Sequence, residues 1–172
     1  RATPSNDLSP ALEAGSGNTT HYSIVDSEGN AVSVTTTINS LYGSLVTVSG
    51  AGFILNNEMD DFASSPGKAN QFGLVQGEQN AIEPGKRMLS SMSPTMVLDS
   101  MGRTRLVTGS PGGPTIITTV AQMISNVIDF GMDLTEATAS PRLHHQHFPD
   151  VLHHEAGGLN PEIVAELESM GH

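Results

Sequence analysis

The sequence has no cysteine and no tryptophan, only 4% aromatic residues, and 7 basic residues against 18 acidic ones. Each shortage closes a class of function. Without cysteine there is neither a disulfide framework nor a thiolate metal site. A formal charge of −11 repels phosphate backbones and anionic lipid surfaces, so neither nucleic acid nor a membrane surface is an expected partner. No apolar run approaches the ~20 residues that a bilayer-spanning helix needs, and no basic-then-apolar signal segment opens the chain. What is plentiful is glycine and proline, 18 and 10 in 172 residues that are 37% hydrophobic, which predicts one domain with a single core and many turns.

From Arg1 to Asn18 the chain is rich in Pro, Ser, Asn and Gly, with no period of two or of 3.6. It reads as an extended arm outside the core. His21–Asp26 and Ala31–Ile38 alternate like strands around "SEGN", which predicts a β-hairpin with a four-residue turn, Ser27 to Asn30. Further strands are expected at Gly52–Leu55 and at Pro94–Leu98, the latter answered after "DSMG" by Thr104–Val107, in an antiparallel arrangement. Between them Ala63–Gly85 has little periodicity, and its length for a connection marks it as a candidate lid.

Ile116, Ile117, Val120, Met123, Ile124, Val127 and Ile128 recur at helical spacing between Pro114 and Gly131, predicting a core helix. "DLTE" at Asp133–Glu136 resembles a capping box for a short second helix that ends by Pro141. A last helix starts with Asn160 as cap and Pro161 in the first turn, and Gly171 terminates it.

The chemically informative junction is "GSGNTTHYSIVD", where a small-residue loop becomes a strand. If Asp26 pairs with Ala31, Thr20 falls opposite Thr37 and Thr19 lies one step away. Three hydroxyls then meet at one strand end. Threonine is a good strand former, so a purely structural role is available for each. A catalytic threonine needs a base, and its own α-amine, with an unperturbed pKa of about 7.7–8.0, can serve. Thr19 is internal, so that chemistry requires the bond after Asn18 to be cut first, by attack of the Thr19 hydroxyl on the Asn18 carbonyl.

"NTTHYSIVDSEGNAVSVTTTIN", "LNNEMDDF", "LSSMSPTMV", "VTGSPGG" and "PRLHHQ" occur together, in order. Over nearly all of residues 18–172 the chain resembles the γ-glutamyltranspeptidases, which are N-terminal-nucleophile hydrolases. The resemblance implies an α+β fold, part of an αββα sandwich completed by a large subunit of the same precursor. Residues 1–18 then correspond to the tail of the large subunit or a pre-cleavage linker, and 19–172 to a small-subunit catalytic domain that stops short of the family's C-terminal portion. It also implies autocleavage between Asn18 and Thr19, Thr19 as nucleophile, and Thr37 as the residue that orients it. Asn39, Glu58 and Asp61 match positions holding the α-amino group of the γ-glutamyl substrate, Ser90 and Ser91 those holding its α-carboxylate, and Gly112 and Gly113 the oxyanion hole.

Chemistry supports each match. An ammonium needs anionic or carbonyl acceptors, and free backbone N–H groups at a helix start suit a developing negative oxygen. Without the resemblance, Glu58 and Asp61 read as a solvated acidic turn, "SSMS" as a polar turn, and "GSPGG" as a glycine turn lacking the lysine of a phosphate loop. The implied reaction is γ-glutamyl transfer from small donors such as glutathione or glutamine to water or an amine, without cofactor, in the periplasm or outside the cell. An acylase for glutaryl-type or poly-γ-glutamyl substrates is the same-family alternative, and an inactive assembly fragment lacking its large subunit the alternative of another class.

Two features stand apart. His144, His145, His147, His153 and His154 crowd eleven positions, but "PRLHHQ" is metal-free scaffold in the family and no helical i, i+4 pair with carboxylate support is present, so no metal is expected. In the lid, Phe72 stands where lid-bearing relatives have a tyrosine, which removes a hydroxyl from any closing contact.

Overall fold

The computed structural model describes residues 18–172; the expected arm lies almost wholly outside the described residues. Strands β1 (Thr19–Val25) and β2 (Ala31–Thr37) form the predicted hairpin, but its register differs from expectation by one residue. Val25, not Asp26, faces Ala31, and Thr19 lies directly opposite Thr37. The reason is Asp26, which belongs to the turn. Its carboxylate accepts from Glu28 N–H, Asn30 N–H and Asn30 Nδ2 at 2.8–2.9 Å, and its own N–H donates to Asn30 O. Gly29, at φ 87°, supplies the left-handed residue that this turn needs. A one-residue slip reverses the face of every side chain, so this correction decides which hydroxyls meet.

The expected strand at 52–55 shrinks to β4 (Phe53–Ile54), paired with β3 (Thr47–Val48), a partner the alternation did not reveal. β5 (Thr95–Leu98) and β6 (Thr104–Thr108) form a third antiparallel ladder, with Leu106 and Thr108 buried. The two main hairpins lie against each other, and the Ser23 and Ser33 hydroxyls donate to the Val107 and Thr108 carbonyls.

Helix α1 (Ile116–Ile128) packs on β6 through Ile116 and Val120, the i, i+4 pair that its apolar periodicity predicts, and a 3₁₀ turn Gly113–Thr115 introduces it. α2 (Leu134–Ala139) carries the full capping box: Asp133 accepts from Glu136 N–H, and Glu136 accepts from Asp133 N–H. α3 (Pro161–Met170) is capped by Asn160 and ends at left-handed Gly171. Between α2 and α3, β7 (Leu143–His144) pairs with β8 (His153–His154).

The core is small. Tyr22, Ile24, Val32, Met96 and Leu98 remain exposed on the strands. The candidate lid is folded back rather than extended, through a parallel bridge Ala63–Ala81, an antiparallel bridge Ala69–Val75 and a 3₁₀ turn Glu78–Asn80.

Candidate active site

Thr19 and Thr37 face each other at the open end of the first hairpin. The Thr19 hydroxyl donates to Thr37 Oγ1 at 3.3 Å, Thr37 donates to the carbonyl of Asn18 at 3.2 Å, and Thr37 Oγ1 also accepts from Asn39 N–H at 2.9 Å. The Thr37 oxygen therefore links the hydroxyl of one threonine to the carbonyl of the peptide bond just before it. A donor on that carbonyl oxygen draws electron density from its carbon.

Asn39, two residues past Thr37, is buried and left-handed at φ 72°, a conformation asparagine tolerates better than most residues. Its side chain donates to Asn57 O, while Asn57 exchanges hydrogen bonds with Ser40 through both ends of its amide. This strap brings the next segment to the threonines. Glu58–Asp61 is a 3₁₀ turn, in which i and i+3 side chains eclipse, so both carboxyls share a face.

These carboxyls are poorly compensated. Among the described residues, Glu58 Oε1 is buried with no hydrogen-bond partner. Burial, reinforced by the charge of Asp61 and the bond shared with it, pushes the Glu58 carboxyl up to about 7. Asp61 is also raised, by burial first, with Asp60 adding to it, while its hydrogen bond with Glu58 acts in the opposite direction. Two adjacent carboxyls that hold back a proton form a site suited to a cation.

One cleft collects Asn18, Thr19, Thr37, Asn39, Glu58, Asp61, Ser90, Ser91 and Gly113 on its walls. Of the predicted site residues, Gly112 alone is missing from this lining. It sits one position earlier, at φ 138°, where Thr115 Oγ1 donates to its carbonyl. Ser90 and Ser91 lie in the irregular segment before β5, and Ser90 Oγ accepts Met92 N–H. Phe72, from the candidate lid, also lines the cleft; its ring edge lies 3.6 Å from where a side chain on Gly113 would begin. Leu74, Gln76, Leu89, Met92, Pro114 and Ile116 complete the walls; Pro114 and Ile116 were marked only as part of the core helix, and the other four not at all.

Comparison with known proteins decides the family. The family model described as Gamma-glutamyltranspeptidase matches residues 3–172. The chain belongs to the gamma-glutamyltranspeptidase family. It is 51% identical over 173 residues to the glutathione hydrolase proenzyme of Escherichia coli, covering 99% of this chain and 30% of that protein. The crystal structure of a Helicobacter pylori gamma-glutamyltranspeptidase variant superposes with a TM-score of 0.84 at 56% identity, over 89% of this chain and 82% of that one. The Bacillus anthracis transpeptidase CapD gives a TM-score of 0.63 at 26% identity, over 88% of this chain and 74% of that one. The fold is thus α+β, part of that of the N-terminal-nucleophile hydrolases. The chain spans about 30% of the length of the curated gamma-glutamyltranspeptidase relatives it matches.

Of the seven histidines one is buried and three are exposed. His144 is buried, with its ring nitrogens on Thr118 Oγ1 and Gln146 Oε1, and its ring stacks on His153 at 6.2 Å. His145 bonds Asp150. His21 sits two residues after Thr19 and bonds Thr35 and Ser23, with its ring against Gly109.

Proposed function

We propose that this chain supplies the nucleophile and most of the donor pocket of a γ-glutamyl acyl-transfer enzyme that acts on glutathione and related γ-glutamyl compounds. The observation that carries the reading is the Thr19–Thr37–Asn18 hydroxyl relay beside the uncompensated Glu58–Asp61 pair. The proenzyme names of the relatives support the processing step, and their glutathione hydrolase names support the donor.

Maturation starts with attack of Thr19 Oγ1 on the Asn18 carbonyl carbon, polarised by Thr37. The C–N bond breaks as the acyl group passes to oxygen, and water hydrolyses the resulting ester. This frees the Asn18 carboxylate and the Thr19 α-amine. That amine takes the proton of its own hydroxyl, Thr19 Oγ1 attacks the γ-carbonyl of the donor, and backbone N–H groups at Gly112 and Gly113 receive the oxyanion. The leaving amine takes a proton, leaving a γ-glutamyl ester on Thr19, and water or an acceptor amine releases it. Asn39, Glu58 and Asp61 hold the donor's ammonium, and Ser90 and Ser91 its carboxylate. An acylase for donors without the α-amino group fits less well, because such a donor leaves Glu58 and Asp61 without a cation.

The partner is a large subunit cut from the same precursor, with residues 1–18 as its tail. It would cover the exposed strand residues Tyr22, Ile24, Val32, Met96 and Leu98. By family resemblance the enzyme works in the periplasm or outside the cell. In the full precursor, Thr19→Ala should abolish cleavage after Asn18, read by intact mass, and turnover of γ-glutamyl anilide. Normal processing in that variant overturns the assignment.

A further inference from the structure

The two ends of the candidate donor pocket come from separate segments, the 3₁₀ turn at Glu58–Asp61 and the irregular segment at Ser90–Ser91, with the candidate lid between them. One side chain touches both. Asn80 Nδ2 donates to the Asp61 carbonyl at 2.7 Å, and Asn80 Oδ1 accepts the Leu89 N–H at 3.0 Å, one residue before Ser90. Its second amide proton goes to Gln76 Oε1, whose own Nε2 donates to the same Asp61 carbonyl at 3.3 Å. The Asn80 carbonyl accepts Ala63 N–H at 2.9 Å, tying the chain just past Asp61 to the same residue.

The chemistry admits few substitutes. Leu89 N–H can only donate and the Asp61 carbonyl can only accept, so the bridging group must present an acceptor and a donor at a fixed separation, as a side-chain amide does. An alanine breaks both links. An aspartate keeps the acceptor for Leu89 but turns an oxygen toward the Asp61 carbonyl.

We propose that Asn80 is a positioning residue that sets the distance between the ammonium-binding and carboxylate-binding ends of the donor pocket, and so selects donors carrying both α-substituents of an L-amino acid. This rests on the reading of Glu58, Asp61, Ser90 and Ser91 given above. Asn80 does not line the cleft, so its effect reaches the donor through these two segments and through Gln76, which does.

The test uses the full processed enzyme and three donors: γ-glutamyl anilide, glutaryl anilide without the α-amino group, and 4-aminobutanoyl anilide without the α-carboxylate. For Asn80→Ala, KM for γ-glutamyl anilide should rise ~10-fold or more with kcat changed by less than ~3-fold, while kcat/KM for each single-ended donor changes by less than ~3-fold. Proportional losses on all three donors, or a fall in kcat alone, overturn the proposal. If Asn80→Ala fails to process, Asn80→Asp carries the same test with the same expected split, and wild-type behaviour of that variant overturns it. Asp61→Ala in parallel separates the two readings: if it does not reduce the preference for γ-glutamyl over glutaryl anilide, the pocket assignment fails, whereas a reduced preference alongside an unchanged Asn80 variant defeats only the positioning role.

Discussion

Thr37 reaches back to the carbonyl of Asn18 at 3.2 Å while Asn39 N–H holds its oxygen from the other side. The Thr37 hydroxyl is therefore oriented before any cut is made. Thr37→Val should slow cleavage after Asn18 by ~10- to 100-fold, the scale of one charge-assisted hydrogen bond in the transition state, while Thr37→Ser keeps most of the rate. A time course of precursor mass measures it; equal rates in wild type and Thr37→Val would place the carbonyl's activation elsewhere.

The Glu58–Asp61 pair predicts a pH dependence. Glu58 titrates near 7 in the empty site against an ordinary 4.5, so binding an ammonium donor must expel a proton below that pH. Donor affinity should weaken by up to tenfold per pH unit below about 7, and Glu58→Gln should flatten the profile while weakening binding at pH 8. The stability sign is opposite. Between about 4.5 and 7 the empty folded state holds a proton that the unfolded chain has released, so stability from this group falls as pH rises through that window. Thermal unfolding of the ligand-free protein and of Glu58→Gln across pH 5–8 checks it; parallel curves for the two would refute the coupling.

Gly109 and His21 predict a steric effect. A Cβ on Gly109 would enter the space of the His21 imidazole, which Thr35 and Ser23 hold from two sides. Gly109→Ala should shift the loop leading to Gly112 and Gly113, lowering kcat for γ-glutamyl anilide by ~10-fold or more and stability by about 1–3 kcal/mol. Adding His21→Ala should recover part of both losses. Additive losses in the double variant would show that the loop, not the ring, fixes the spacing.

The turn at Asp26 controls register. Asp26→Ala removes three acceptor contacts and should slow cleavage after Asn18, since a slip carries Thr19 away from Thr37. Acid should act in the same direction, because its hydrogen bonds with Asn30 hold the Asp26 carboxyl below its usual range and are lost on protonation. Mass spectrometry of the precursor after a pH 3 pulse and return to neutrality, beside Asp26→Ala, tests the point; undiminished processing in Asp26→Ala would mean that packing on β6 sets the register.

Local interactions were legible in the sequence. The capping box of α2, the asparagine cap and glycine stop of α3, the periodicity of α1 and the two main hairpins each depend on neighbours a few residues away. The motif resemblance singled out Thr19, Thr37, Asn39, Glu58, Asp61, Ser90, Ser91, Gly112 and Gly113, and all of them except Gly112 line one cleft. Where the answer depended on a side chain folding onto its own turn, alternation misled: the carboxylate of Asp26 draws that residue out of the strand and moves the pairing by one position.

What the sequence determined by itself was the type of each main element, because propensity and capping are local properties, whereas residue type alone read Glu58, Asp61, Ser90 and Ser91 as ordinary turns and only the resemblance singled them out. Only the tertiary structure decided the distances. The link from Thr37 to Asn18 and the bridge from Asn80 to both Asp61 and Leu89 join segments up to 19 residues apart. Such contacts form when packing brings the segments together and removes water, and no local period in the chain records them.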